Sequence, residues 1–276
     1  PGTQAAPFAT IKKAANVVGA GDTVYVKAGT YSGDISISSS GTSSNYITFA
    51  RFGSDSVTIN GGTNHFLINN QRYIRINGFR LTNSAKSSIF VSGGSDIIIE
   101  DNIFENPAGS GSNGDGALHV RGGASSITFQ RNKVSGSGGT GIFGVYLRET
   151  GGGHVIRDNT IEGAFEDGVG GSPNHSGLNG GPYHDTDIYN NRVTNCRDDG
   201  IEAEGSSVNV RIWGNFVKGC YVGIGLAPQY IGPSYVFGNV LLESRSNGFK
   251  LGEVSRGRTY IYHNTVYSRA GPDAQG

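Results

Sequence analysis

The sequence predicts an all-β fold, a right-handed parallel β-helix in which coils of roughly 24 residues stack into a three-sided solenoid behind a short N-terminal capping helix. Composition, an internal repeat and the lack of long helical patterns carry that expectation. Glycine supplies 46 of the 276 residues, proline only 8, and charged residues only 16%. A chain so rich in glycine, with Ser, Thr and Asn beside it, turns often and builds short strands rather than helices.

The repeat is an apolar-x-x-Asn-x-apolar pattern centred on Asn102, Asn132, Asn159, Asn191, Asn215, Asn239 and Asn264. Three residues before them stand Ile99, Phe129, Ile156, Ile188, Ile212, Val236 and Ile261. Two residues after stand Phe104, Val134, Ile161, Val193, Val217, Leu241 and Val266. Successive asparagines are 24 to 32 residues apart, so a unit of about 24 carries occasional insertions. Such a unit is too short for a propeller blade and fits three short strands joined by turns. Coils then stack about 4.8 Å apart, and the asparagines form a turn ladder whose amides hydrogen-bond along the axis.

In chain order, Pro7–Val18 reads as a short amphipathic helix that covers the open edge of the first coil, and Thr23–Lys27 as the first strand. Residues 1–30 are the cap and first strand of a single domain spanning 1–276. The chain begins at Pro1 without a signal peptide, and Gly271–Gly276 follow a strand pattern without a cap. It is therefore expected to be either a processed chain or a fragment of a longer protein, with the natural chain continuing past its end. Cys196 and Cys220 each lie five residues after a ladder asparagine, so they are neighbours in adjacent coils, either bonded or as two buried thiols.

Net charge is zero and no block of Lys and Arg occurs, which removes the electrostatic footprint of nucleic-acid or anionic-lipid binding. No apolar run approaches the roughly 18–20 residues of a membrane span.

A second column begins at Gly116, Gly144, Gly168, Gly200, Gly223 and Gly248. The next position, Ala117, Val145, Val169, Ile201, Ile224 and Phe249, is apolar throughout and faces inward. Alternation turns the following column outward: Leu118, Tyr146, Gly170, Glu202, Gly225 and Lys250. Glu202 and Lys250 then share a face about 10 Å apart, with a notch at Gly225. The position before the glycines reads Asp115, Phe143, Asp167, Asp199, Val222 and Asn247, which sets Asp167 beside Asp199, flanked by Asp198 and Glu202. Four converging carboxylates repel one another unless a cation neutralises them, and hard oxygen ligands suit Ca²⁺. Tyr146, Arg148 and Glu204 are the candidate substrate contacts, an arginine for a carboxylate and a tyrosine for a sugar ring. The insertion 170–185, with His175 and His184, is expected to form a loop beside this face.

Asp198-Asp199-Gly200-Ile201-Glu202, followed by Asn247-Gly248-Phe249-Lys250-Leu251-Gly252, resembles polysaccharide lyase family 9, the pectate lyase group built on a calcium-carrying parallel β-helix. The resemblance covers about residues 166–252. It implies Lys250 as catalytic base, Asp167, Asp198, Asp199 and Glu202 as calcium ligands, and β-elimination on an acidic polysaccharide by a secreted or cell-surface protein. Glu202 stands where that family has an aspartate. A non-catalytic β-helix (adhesin, tail fibre or filament) and a uronate epimerase are the alternatives that the residues leave open.

Overall fold

A computed structural model of the chain describes residues 1–107, 114–136, 141–163, 165–172, 184–252 and 254–268. Three parallel sheets run the length of a solenoid, two of ten strands and one of nine. The first sheet starts at Thr23–Val26 and ends at Thr259–Tyr262; the second runs from Gly29–Ser32 to Thr265–Ser268; the third runs from Ile35–Ile37 to Phe249–Lys250. Each strand pairs only with its counterparts one coil before and after, so the residues of one column stack on one another.

The apolar columns around the asparagines fill the interior. Ile99, Phe129, Ile188, Ile212 and Val236 are inaccessible, as are Phe104, Val134, Ile161, Val193 and Leu241 across the corner. At that corner each asparagine Nδ2 donates to Oδ1 of the next at 2.9–3.3 Å. Each backbone N–H donates to the same oxygen at 2.9–3.1 Å. The ladder thus satisfies buried polar groups at a turn where no strand partner exists. The residue before each ladder asparagine (Asp101, Arg131, Asp158, Asn190, Gly214, Gly238, His263) has φ between 53° and 64°, the left-handed conformation that lets the chain turn from one sheet to the next.

The helix is shorter than the sequence predicts, Ile11–Ala15, with Thr10 as its N-cap accepting from Lys13 N–H at 3.2 Å. Its buried Ile11 and Ala15 join the core, as a cap requires. Coils also exist before Asn102. There Phe79 takes the ladder position, its N–H donating to Asn102 Oδ1 at 2.9 Å. Cys196 and Cys220 are free, buried thiols in adjacent coils, with Cys196 N–H pointing at Cys220 Sγ, 3.2 Å away.

One predicted register is corrected. Leu118 pairs with Val145, and His119, not Leu118, shares the column of Tyr146; Asp115 pairs with Ile142 rather than Phe143. The strand Asp115–Arg121 has seven residues, and its marker glycine, Gly116, sits one place earlier than those of later coils. From Val145 onward the predicted columns hold: Val145, Val169, Ile201, Ile224 and Phe249 stack inside, with Tyr146, Gly170, Glu202, Gly225 and Lys250 beside them.

Candidate functional site

The site lies on the outer face of the third sheet, where the strand Asp199–Glu202 departs from simple alternation. A Cβ on Gly200 would run into the Val217 side chain, so this position faces inward, and Ile201 after it is fully buried in the core. Two successive inward positions place Asp199 on the same outer side as Glu202 and Glu204. One ligand atom from each of these three carboxylates lies within 4.8 Å of the others.

Lys250 enters this group from two coils away. Its Nζ is 3.0 Å from Asp199 Oδ2 and 2.6 Å from Glu204 Oε1. The lysine side chain is 30% exposed, whereas both carboxylates are 1% exposed. Gly225 explains how the groups meet: a Cβ there would strike the Asp199 carboxylate and crowd Glu204. The notch expected at Gly225 is thus filled by the Asp199 carboxylate on its way to Lys250. Gly170 does the same for Asp167, whose carboxylate occupies the space a side chain would need.

Asp167 Oδ1 accepts from Asp199 N–H at 3.0 Å, and Glu202 Oε2 accepts from Gly171 N–H at 3.2 Å. These bonds do not offset burial. Desolvation, then the charges of Glu202 and Asp199, push Asp167 well above the usual carboxylate range. Burial lifts Asp199 to about 7 against the pull of Lys250. Burial and then Glu204 and Asp199 lift Glu202 to about 8. Burial alone would lower Lys250, but Asp199 and Glu204 outweigh it and hold the ammonium protonated.

The structure sets Lys250 against Asp199 and Glu204, groups Glu202 with these two carboxylates, and places Asp167 beside Asp199. It reassigns Glu204, expected to touch substrate: the carboxylate is buried and belongs with the charge cluster. Asp198 is half-buried and outside the tight group, although its charge is felt by Asp167 and Asp199. Tyr146 is also corrected. Its ring is 4% exposed, stacks on Phe143 at 4.4 Å, meets His119 edge-on at 4.8 Å and fills the space above Gly114, so a sugar does not lie on it. Arg148 stays on the outer face with its side chain 34% exposed. The backbone of His184 bridges Val208, just before the first-sheet strands Asp187–Tyr189 and Val210–Trp213; His175 lies outside the described residues.

Asp199, Glu202 and Glu204 offer oxygens only, and Asp199 Oδ1 is buried without a hydrogen-bond partner. A buried acceptor without a donor, in a group of three carboxyl side chains against one ammonium, fits a hard divalent cation such as Ca²⁺.

Residues 64–266 match the family described as "Right handed beta helix region". The chain belongs to this right-handed β-helix family. No curated protein matches it in sequence. Among solved structures, pectate lyase Pel9A superposes with a TM-score of 0.64 at 16% identity, over 99% of this chain and 77% of that one. PfbA, a surface adhesin of Streptococcus pneumoniae, gives 0.69 at 12% identity, over 96% and 75%. XylC in complex with xylose gives 0.61 at 16% identity, and this β-helix covers 97% of itself but only 64% of that chain. Identities this low show the fold alone. Among the described residues of the β-helix, no helix is long and apolar enough to cross a membrane.

Proposed function

We propose that this β-helix is a calcium-assisted lyase that cleaves a uronic-acid-containing polysaccharide by β-elimination, working at the cell surface or after secretion. The observation that carries the reading is the meeting of Lys250 with the buried carboxylates of Asp199 and Glu204 on one open sheet face. Polysaccharide lyases among the structural neighbours, pectate lyase Pel9A for one, support it at the level of fold.

In this reading Lys250 removes the proton on C5 of a uronate, the electron pair left behind forms a C4–C5 double bond as the C4–O bond breaks, and the departing oxygen takes a proton from water. The lysine's partial exposure lets it reach a chain lying on the sheet, while its ion pairs fix the direction of Nζ. Held between two carboxylates, however, the amine stays protonated, and in that form it cannot accept the C5 proton. Asp199, Glu202 and Glu204, with Asp167 beside them, are the residues that would hold calcium. The bound ion supplies positive charge that neutralises the uronate carboxylate and offsets the carboxylates now holding the lysine's proton. A non-catalytic, adhesin-like role is the second reading, favoured by the same ion pairs: without a cation, Lys250 neutralises part of the cluster as a structural salt bridge would.

Calcium titration by calorimetry, followed by an absorbance screen for unsaturated uronate on pectate, alginate and glycosaminoglycans, tests the proposal. One site is expected, with affinity that rises steeply from about pH 6 to about pH 9 and with proton release on binding, because Asp199 and Glu202 must lose protons held to about 7 and 8. Absent calcium binding with no unsaturated product from any polymer would leave the adhesin-like reading; conversion without unsaturated product would mean an epimerase.

A further inference from the structure

Two and three coils before Glu204 on the same outer face, the strands Ile142–Arg148 and Asp115–Arg121 end in arginines that sit side by side. Val120 pairs with Leu147, both are buried in the core, and the next residues, Arg121 and Arg148, project outward one strand spacing apart. Arg148 in turn pairs with Ser172, which is one coil before Glu204. The pair therefore begins about 10 Å from Glu204 along the axis.

Stacked like charges cost energy unless something neutralises them. Elsewhere this β-helix supplies the neutralising group from an adjacent coil: Glu100 for Arg75, Glu105 for Arg80, Asp187 for Arg211. Among the described residues no carboxylate pairs with Arg121. Glu149, adjacent in sequence, comes only to 3.9 Å from Arg148 Nε, and that nitrogen is buried without a hydrogen-bond partner. His119, on the Arg121 strand and packed between Phe90 of the preceding coil and Tyr146, adds nothing negative. Burial and then the two guanidinium groups push it down to about 3, so it is neutral there.

We propose that Arg121 and Arg148 form an anion subsite for carboxylates of a substrate chain whose reacting unit lies at Lys250. The inference rests on the reading of this face as a polyuronate site and narrows it: two adjacent guanidinium groups on strands four and five coils from that of Lys250 select a chain that carries carboxylates on several units, not a neutral glycan with an occasional acid.

The test is calorimetry on the whole chain with hexamers of galacturonate and of mannuronate, each beside its carboxyl-reduced counterpart. At least one acidic hexamer is expected to bind wild-type protein tenfold or more tightly than its reduced form. Arg121→Gln and Arg148→Gln should each weaken the acidic hexamer about tenfold, the double variant should lose the preference, and Arg121→Lys should recover part of it. Equal binding of acidic and reduced hexamers by wild-type protein, a comparison that needs no variant, overturns the subsite. So does an undiminished preference in folded glutamine variants. Elimination is scored separately: hexamers held through the arginines but never cleaved would remove the lyase and keep the subsite, whereas a lyase with unchanged KM in both glutamine variants would do the reverse.

Discussion

At the scale of single residues, Gly225 decides whether the site exists. It needs no unusual backbone angle; its lack of a side chain lets the Asp199 carboxylate reach Lys250. Gly225→Ala should push only the tip of Asp199 aside. The melting temperature should then stay within a few degrees of wild type while calcium affinity falls about tenfold; an unchanged calcium isotherm would show that Asp199 does not need that space. His154 provides an independent check on the buried polar interior. It is 1% exposed, its Nδ1 accepts from Ile127 N–H at 3.3 Å, and burial lowers its pKa from 6.5 to about 3. A folded-state pKa below the unfolded one means that this contribution to stability is intact above about pH 6.5 and is lost as pH falls toward about 3. His154→Gln, which cannot take up a proton, should flatten the acid side of the stability profile; parallel profiles for the two proteins would refute the assignment.

At the scale of elements, the asparagine ladder is what joins one coil to the next at a corner without strand pairing. Asn191 donates to Ile156 O at 2.8 Å and to Asn215 Oδ1 at 3.0 Å, and its own Oδ1 accepts from Asn159 N–H at 3.1 Å and from Asn159 Nδ2 at 2.9 Å. Asn191→Ala leaves the buried Asn159 N–H and Nδ2 without an acceptor, takes a donor from Ile156 O and Asn215 Oδ1, and should cost about 1–3 kcal/mol in denaturant unfolding. Ile212→Asp, at a fully buried position, should prevent stable folding by placing an unpaired charge in the core. The ladder was legible because each asparagine sits between two apolar columns at a near-constant interval. Coils before Asn102 were not, because Phe79 meets the same corner by packing and breaks the pattern. The register slip at Leu118 arises because Gly116 pairs with Phe143, one residue before Gly144, so the glycine is not a fixed mark of the column there.

At the scale of the whole molecule, stacking turns residues far apart in sequence into one surface, which is why much of the candidate site could be read from columns alone. Glu202, Gly225 and Lys250 were aligned by counting, and the pairing of their strands places them as counted. The role of Glu204 was not legible, since the column count says which side a residue faces but not that Lys250 bends back across two coils to reach it. Burial of Tyr146 was equally invisible, because it depends on Phe143 and on the approach of the chain at Gly114. The central claim, that Lys250 and its carboxylates form an eliminating site, is tested most directly by the rate at which unsaturated uronate absorbance grows when Lys250→Ala is compared with wild type on a uronate polymer in calcium. The account predicts turnover by wild type and a loss of at least about a hundredfold in the variant, with the fold and calcium binding retained. Equal rates in the two proteins would contradict it.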